Sequence, residues 1–274
     1  FIGPNGAGKS TTIKILTGIM HPSSGQIRVL GKIPNRDRKN LTYQIGVVFG
    51  QRSQLLYHLP VQESFNLLSV IYDISRPEYK NRLKSLTKKF EVTHLLDRPV
   101  RQLSLGERIR CEIIANFLHQ PSVLFLDEPT IGLDITAKTI VRNLILEQSK
   151  QMETTLLLTS HDTDDIEKIC DRVIIIDHGK LLLDDSLNNL KTKYIRKKTV
   201  TFVTDDKIPW RKLGVTMLEQ SLNQLKIEVN LEQGTVEEIV AKILRTYSIK
   251  DLLIEGPQLK TIIQSLYEYG NNTQ

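Results

Sequence analysis

Two cysteines, Cys111 and Cys170, are all that the 274 residues contain. So low a count argues against a disulfide scaffold and fits a reducing compartment. Both read as small core residues. No apolar run approaches the ~18 residues that a membrane-spanning helix needs. Tryptophan occurs once, at Trp210, and reads as a packing anchor rather than a ligand platform. Acidic residues are the minority, 31 against 37 lysines and arginines, for a net charge of +6. Part of that surplus lies between Lys191 and Lys198. It suits a nucleotide, a nucleic acid or an anionic membrane surface, but a solvated face is the simpler reading. The length allows one large domain and a small one.

What is present is concentrated at the start. Gly3, Gly8, Lys9 and Ser10 spell G-x-x-x-x-G-K-[ST]. Glycines permit backbone angles that turn successive N–H groups inward onto a phosphate. Lys9 adds a charge that reaches the β- and γ-phosphates, and Ser10 offers a hydroxyl to Mg²⁺. A helix expected over Thr11–Met20 points its N-terminus at the anion. A phosphate loop follows a buried strand, of which Phe1 and Ile2 alone are present. The chain therefore reads as a fragment lacking an N-terminal segment.

Further along, apolar runs deliver polar residues at their ends. Gln26–Leu30 reads as a short strand. Ile45–Phe49 reads as a buried strand leading to Gly50 and Gln51. The Gln51 amide can ligate Mg²⁺ or orient a water. Val61–Phe90 has helical periodicity, broken at Arg76-Pro77, and reads as a helical insertion. Ser104 and Gly106 stand at the start of a helix expected over Glu107–His119, a second anion-binding position; a plain serine cap is the bland alternative. Ser122–Leu126 is a parallel-type strand ending in Asp127-Glu128. A carboxylate at that edge, Asp127, reaches Mg²⁺, and the next, Glu128, can polarise a water. Helix Ile135–Ser149, strand Thr155–Thr159 and the pair Ser160-His161 follow. His161 at that edge could contact a γ-phosphate; a structural histidine is the plainer alternative. Helix Asp164–Cys170, strand Arg172–Asp177 and ribbon Lys180–Leu183 close the domain.

These motifs, in this order, resemble the ATPase subunits of ATP-binding cassette (ABC) transporters. They run as Walker A Gly3–Ser10, Q-loop Gln51, signature Leu103–Glu107, Walker B Val123–Asp127 with Glu128, D-loop Gly132–Asp134 and switch His161. The likeness covers residues 1 to about 190. It implies an α/β fold: a P-loop NTPase core sheet, a helical subdomain at about 60–118, and a small C-terminal α/β appendage. The expected division is 1–194 for the ATPase domain and 195–274 for the appendage. It implies ATP and Mg²⁺, with Gly3, Pro4, Asn5, Gly6, Ala7, Gly8, Lys9, Ser10 and Thr11 around the phosphates. Ser10, Gln51 and Asp127 would hold the metal, and Glu128, His161 and Gln51 would serve hydrolysis. Ser104, Gly106 and Asp134 would meet the ATP of a second subunit. The family's adenine-stacking aromatic would lie upstream of Phe1. The signature reads Leu-Ser-Leu-Gly-Glu against the usual Leu-Ser-Gly-Gly-Gln, and a carboxylate beside a triphosphate is repulsive. Leu105 and the run Phe49–Leu55 resemble the drug-export subunits encoded apart from their permeases.

The resemblance therefore implies an ATP-hydrolysing subunit on the cytoplasmic face of the cell membrane, powering export through a separate transmembrane permease. Its second partner is another copy or a related ATPase subunit. No nucleic acid is expected. The alternative, a soluble ABC ATPase acting on ribosomes or DNA, usually carries two cassettes or a long coiled-coil interruption, and neither is seen. A regulatory module without turnover is opposed by Glu128 and His161. Beyond Tyr194, strands are expected at Thr199–Val203, Lys226–Val229 and Asp251–Ile254, with helices at Thr235–Tyr247 and Gln258–Tyr269. Val61–Phe90 is the expected permease-facing part.

Overall fold

The computed structural model describes residues 1–50, 52–194, 197–206, 208–231, 234–256 and 259–271. The chain divides into two compact units, Phe1–Asp184 and Asp185–Gln274. The expected division lay at Tyr194. The difference is helix α8, Leu187–Tyr194, which packs against the last helix of the chain and so goes with the second unit.

In the first unit, β1 (Ile45–Phe49), β2 (Val123–Asp127) and β3 (Thr155–Thr159) pair in parallel in that order. Ile45 lies opposite Val123, and Val123 opposite Thr155. The Phe1 nitrogen donates to Leu158 O on β3, while Ile2 pairs with Ile175 of β4, Arg172–Asp177. Residues 1–2 thus lie between β3 and β4, which aims the phosphate loop at the same strand edge as Asp127. β4 returns as β5, Lys180–Ser186, through His178 and Gly179 at φ 45 and 75.

Strand alternation decides which helix covers which face. Phe125 packs with Ile13 of α1 (Lys9–Leu16) and Leu41 of α2 (Arg38–Thr42). Its neighbours Leu124 and Leu126 face the opposite way, into a core shared with α5 (Leu105–Phe117) and α6 (Ile135–Gln151). That core continues through Phe65, Leu83 and Phe90 into α3 (Val61–Ile71) and α4 (Arg76–Lys89). Helix α7 (Thr163–Ile169) completes the unit. With both faces covered, β1 to β3 can be near-continuously apolar.

Several boundaries differ from expectation for physical reasons. Pro77 opens α4 instead of breaking the run, because a proline in the first turn has no intrahelical N–H to lose. The break is at 72–75. Residues 26–28 form no strand; only Val29 and Lys32 bridge, around Leu30 and Gly31 at φ 50 and 75. Helix α1 stops at Leu16, and Gly18 follows at φ 72.

In the second unit, β6 (Lys197–Val203), β7 (Thr216–Gln220), β8 (Gln224–Asn230) and β9 (Asp251–Glu255) form an antiparallel sheet in the order β7-β8-β6-β9. Val200, Phe202, Leu225, Ile227 and Val229 cluster with Val236 and Ile243 of α9 (Val236–Leu244). Trp210 packs at the margin of this core, with the Arg211 guanidinium 5.3 Å from its ring centre. Helix α10, Leu259–Asn271, lies against α8. Among the described residues, no helix is long and apolar enough to cross a membrane.

Candidate active site

The loop from Gly3 to Gly8 is shaped by contacts that side chains would obstruct. A Cβ on Gly3 would stand 2.7 Å from Ile176 O and 2.9 Å from Ala7 Cβ. Gly6 and Gly8 have φ of 82 and 105, which strain any side-chain-bearing residue. Lys9 is buried, and its Nζ donates to Gly3 O at 2.7 Å and Pro4 O at 3.2 Å. An ammonium has three donors, so one is left to point elsewhere. Helix α1 begins at Gly8 with no side-chain cap, which leaves its first N–H groups to a ligand.

Gly3, Pro4, Asn5, Gly6, Gly8, Lys9, Ser10 and Thr11 line a cleft of about 720 Å³, together with Glu128, Ile131 and His161. Ala7 does not line it; its side chain is buried, and its carbonyl accepts from Gly179 N. The other lining residues, Glu128, Ile131 and His161, follow the ends of β2 and β3; Asp127, expected as a metal ligand, is not among the residues that line the cleft. Asp127 closes β2, and Thr159, the last residue of β3, donates its hydroxyl to Asp127 Oδ1 at 2.6 Å. The Glu128 N–H donates to Thr159 O at 3.1 Å and to its hydroxyl at 3.2 Å. Glu128 has φ 54, a left-handed backbone unusual for a residue with a side chain. Gly50 makes room for it: a Cβ there would stand 2.2 Å from Glu128 O. Glu128 Oε2 and His161 Nδ1 are 2.7 Å apart. Since a carboxylate only accepts, Nδ1 is assigned the proton.

Ser104, Gly106 and Asp134 do not line this cleft. They form a second group. Ser104 caps α5: its hydroxyl accepts from Glu107 N at 3.3 Å, and Glu107 Oε2 accepts from Ser104 N at 2.8 Å. That reciprocal pair satisfies two helix-end donors. The hydrogen bond from Ser104 N, the largest influence, holds the Glu107 pKa below the usual carboxylate value. Leu105 Cδ2 would lie 3.1 Å from a Cβ on Gly132, and Ala137 Cβ 3.7 Å from one on Gly106, so signature and D-loop pack together. Asp134 caps α6, accepting from Ala137 N at 2.9 Å. Gln51 lies outside the described residues.

The site has members that no motif announced. Ile131 joins the cleft. Thr159 fixes the Asp127 carboxylate. Asp165, fully buried, accepts from the hydroxyls of Thr130 and Ser160, beside a buried Arg142. Both cysteines are free; burial pushes the Cys111 thiol up to about 12 and that of Cys170 upward.

The cleft suits a polyphosphate: glycines at close approach, an uncapped helix start and a buried lysine converge on it. Among the described residues, no group of three or more His, Cys, Asp or Glu could hold a metal.

Known proteins resemble this chain in sequence and in fold. The family model described as ABC transporter matches residues 1–131. NatA, an ABC transporter ATP-binding protein of Bacillus subtilis, is 33% identical over 69% of this chain and 76% of its own. The bacitracin transport ATP-binding protein BcrA of Bacillus licheniformis is 32% identical over 93% of this chain and 80% of its own. The solved structure of cbiO1 from Clostridium perfringens, part of the ABC transporter complex cbiONQ, superposes with a TM-score of 0.62 at 28% identity, over 70% of this chain and 79% of that one. The chain shares its parallel α/β fold with that structure and belongs, with these relatives, to the ATP-binding subunits of ABC transporters.

Proposed function

We propose that this ATPase powers export through a separate membrane-spanning permease, at the cytoplasmic face of the membrane. The observation that carries the hydrolytic reading is the cleft in which the phosphate loop faces the Glu128–His161 pair. In this reading Lys9 and the first N–H groups of α1 hold the β- and γ-phosphates. Ser10 and Asp127, with Gln51 as a further ligand, would hold Mg²⁺, which would supply positive charge against the phosphates. Glu128 accepts a proton from the attacking water. His161, with Nδ1–H donating to Glu128, donates to a γ-phosphate oxygen through Nε2 when it is an imidazolium.

The second half of the site is Ser104, Gly106 and Asp134, which the single chain leaves outside its cleft. A two-fold pair of subunits brings each signature to the other's phosphate loop, and this chain carries both halves, so two copies suffice; a related subunit is the other partner that fits. Export, rather than import, is supported by the resemblance of Leu105 and the run Phe49–Leu55 to drug-export subunits; the match to BcrA, a bacitracin transport protein, takes in most of the second unit as well. That unit, Asp185–Gln274, contains the 195–274 appendage expected from sequence and serves as an accessory domain. The permease docks on the helical segment Val61–Phe90.

The test mixes two disabled chains. Lys9→Ala removes the phosphate cation from one, and Ser104→Arg blocks closure in the other. A mixed pair retains one site with an intact loop and an intact serine, so partial recovery of ATPase activity is expected. No recovery despite demonstrated mixing overturns the shared site. For export, the subunit is copurified with its permease from membranes and reconstituted in vesicles; ATP-driven movement toward the ATPase side refutes the direction. Crosslinks to the permease that map only to the second unit refute the docking assignment.

A further inference from the structure

We propose that Asp165 is a positioning residue for hydrolysis, a buried clamp that fixes Glu128 and His161 relative to each other. This rests on the roles given to those two residues above.

The clamp is made of one carboxylate and two chain segments. Asp165 Oδ2 accepts from Thr130 Oγ1 at 2.6 Å and from Ser160 Oγ at 2.7 Å. Thr130 follows Glu128 by two residues, and Ser160 immediately precedes His161. The segments carrying the two reactive side chains therefore share one oxygen atom. Thr130, Ser160 and Asp165 are all buried, so no water competes for these bonds. Oδ1 is taken by Arg142 Nε of α6. The same guanidinium donates to Asp162 Oδ2 at 3.1 Å, where Lys138 Nζ also donates at 2.6 Å. Two cations on α6 thus balance two carboxylates around α7.

Helix capping does not account for Asp165. The cap of α7 is Asp162, whose side chain accepts from Asp164 N. An apolar residue at position 165 would avoid the several kcal/mol of desolvation that a buried ion carries. What an apolar residue could not do is hold two hydroxyls from separate strand ends at one point. The clamp also has a remote end. Arg142 and Lys138 stand on the helix capped by Asp134, so a shift of the D-loop on pairing would move the cations that hold Asp165.

The decisive variant is the pair Thr130→Val with Ser160→Ala, which removes both hydroxyls and leaves the buried Arg142–Asp165 ion pair intact. Steady-state ATPase kinetics are read together with thermal melting. A small misplacement of reacting groups costs on the order of 10²-fold, so kcat is expected to fall about 10- to 100-fold. KM for ATP should stay within about twofold, because the phosphate loop is untouched. Thr130→Ser with Ser160→Thr keeps both hydroxyls and should restore kcat. In a His161→Ala chain the Val/Ala pair should cost no more than about twofold further, since residues acting as a unit are not additive. Unchanged kcat in the Val/Ala pair, or the same fold loss with and without His161, overturns the proposal. Asp165→Asn, if it folds, should lower kcat at least as far, and full activity overturns the proposal equally. Full hydrolysis by His161→Ala alone would remove the role given to His161, and the clamp with it. An inactive His161→Ala beside an unimpaired Val/Ala pair removes the clamp alone.

Discussion

Two helix starts in the first unit face anions in the proposed reading, and they are built in opposite ways. Helix α1 begins after Gly8, which has φ 105 and no side chain to offer, so its N-terminal donors are unclaimed. Helix α5 begins at Ser104, whose hydroxyl and partner Glu107 already satisfy its end through the reciprocal cap. The first start has no side-chain cap, and the second has both halves of a capping box. The difference matches their surroundings: Glu128 and His161 line the cleft of α1, and neither Ser104 nor Gly106 does. In the proposed reading, a site that does the chemistry and a pre-formed edge from a second subunit would make one composite ATP site.

The largest way to break this comparison is at Glu128. Glu128→Gln keeps the shape and removes the basic carboxylate. Hydrolysis should fall about 10²- to 10⁴-fold, the usual worth of a general base, while ATP binding persists. Phosphate release and equilibrium nucleotide binding on one preparation check both halves; hydrolysis near wild-type refutes the assignment. Gly50 is the next step down. The added methyl of Gly50→Ala would press on Glu128 O. It should displace the carboxylate with a loss of order 10-fold or more. Ser104→Ala should do less to the chain alone, lowering its stability by about 1 kcal/mol as a cap loss. Its larger effect should appear only in paired subunits, as a loss of ATP-driven dimerisation on gel filtration. If Ser104→Ala weakens nucleotide binding by the monomer as much as Lys9→Ala does, the distinction between the two starts fails.

The legible parts of this molecule were those encoded within a few neighbouring residues. Ile45–Phe49, Thr155–Thr159 and Arg172–Asp177 stand at their expected limits, because unbroken apolar runs bounded by polar residues leave a buried strand little choice. The effect of Pro77 depends on where the helix begins, which other residues decide. β7 went unseen: Thr216–Gln220 is half polar and mostly exposed, and it is a strand only because β8 offers it hydrogen bonds. The Asp165 cluster was invisible for a related reason. Thr130 and Arg142 are remote from Asp165 in sequence, by 35 and 23 positions, and no local pattern predicts that three elements converge on one carboxylate. The capping function of Ser104 was readable from Ser-x-x-Glu, whereas its separation from the cleft needed the fold.

The smallest effect, and the finest test of the contrast between the two starts, concerns pH. The cap of α5 contains an ionisable partner, and the start of α1 has no side-chain cap to titrate. Glu107 has a folded pKa below its ordinary 4.5, chiefly because its carboxylate accepts the Ser104 N–H. Its stabilising contribution is therefore fully present above the unfolded pKa. It is lost as pH falls through 4.5 toward the lower folded value, because the unfolded chain takes up the proton first. Glu107 is only partly buried, so the amount is a fraction of about 1 kcal/mol, as for other partly exposed charges at helix ends. Glu107→Gln retains an amide oxygen that accepts the same hydrogen bond at every pH. Its melting temperature should fall less than wild type between pH 6 and pH 4, by an amount set by this one group. The substitution also removes a negative charge from the signature, so paired subunits should bind ATP slightly more tightly at neutral pH. Identical acid dependence of the two proteins, with the α5 start intact by hydrogen exchange, would mean that the cap does not depend on the carboxylate charge.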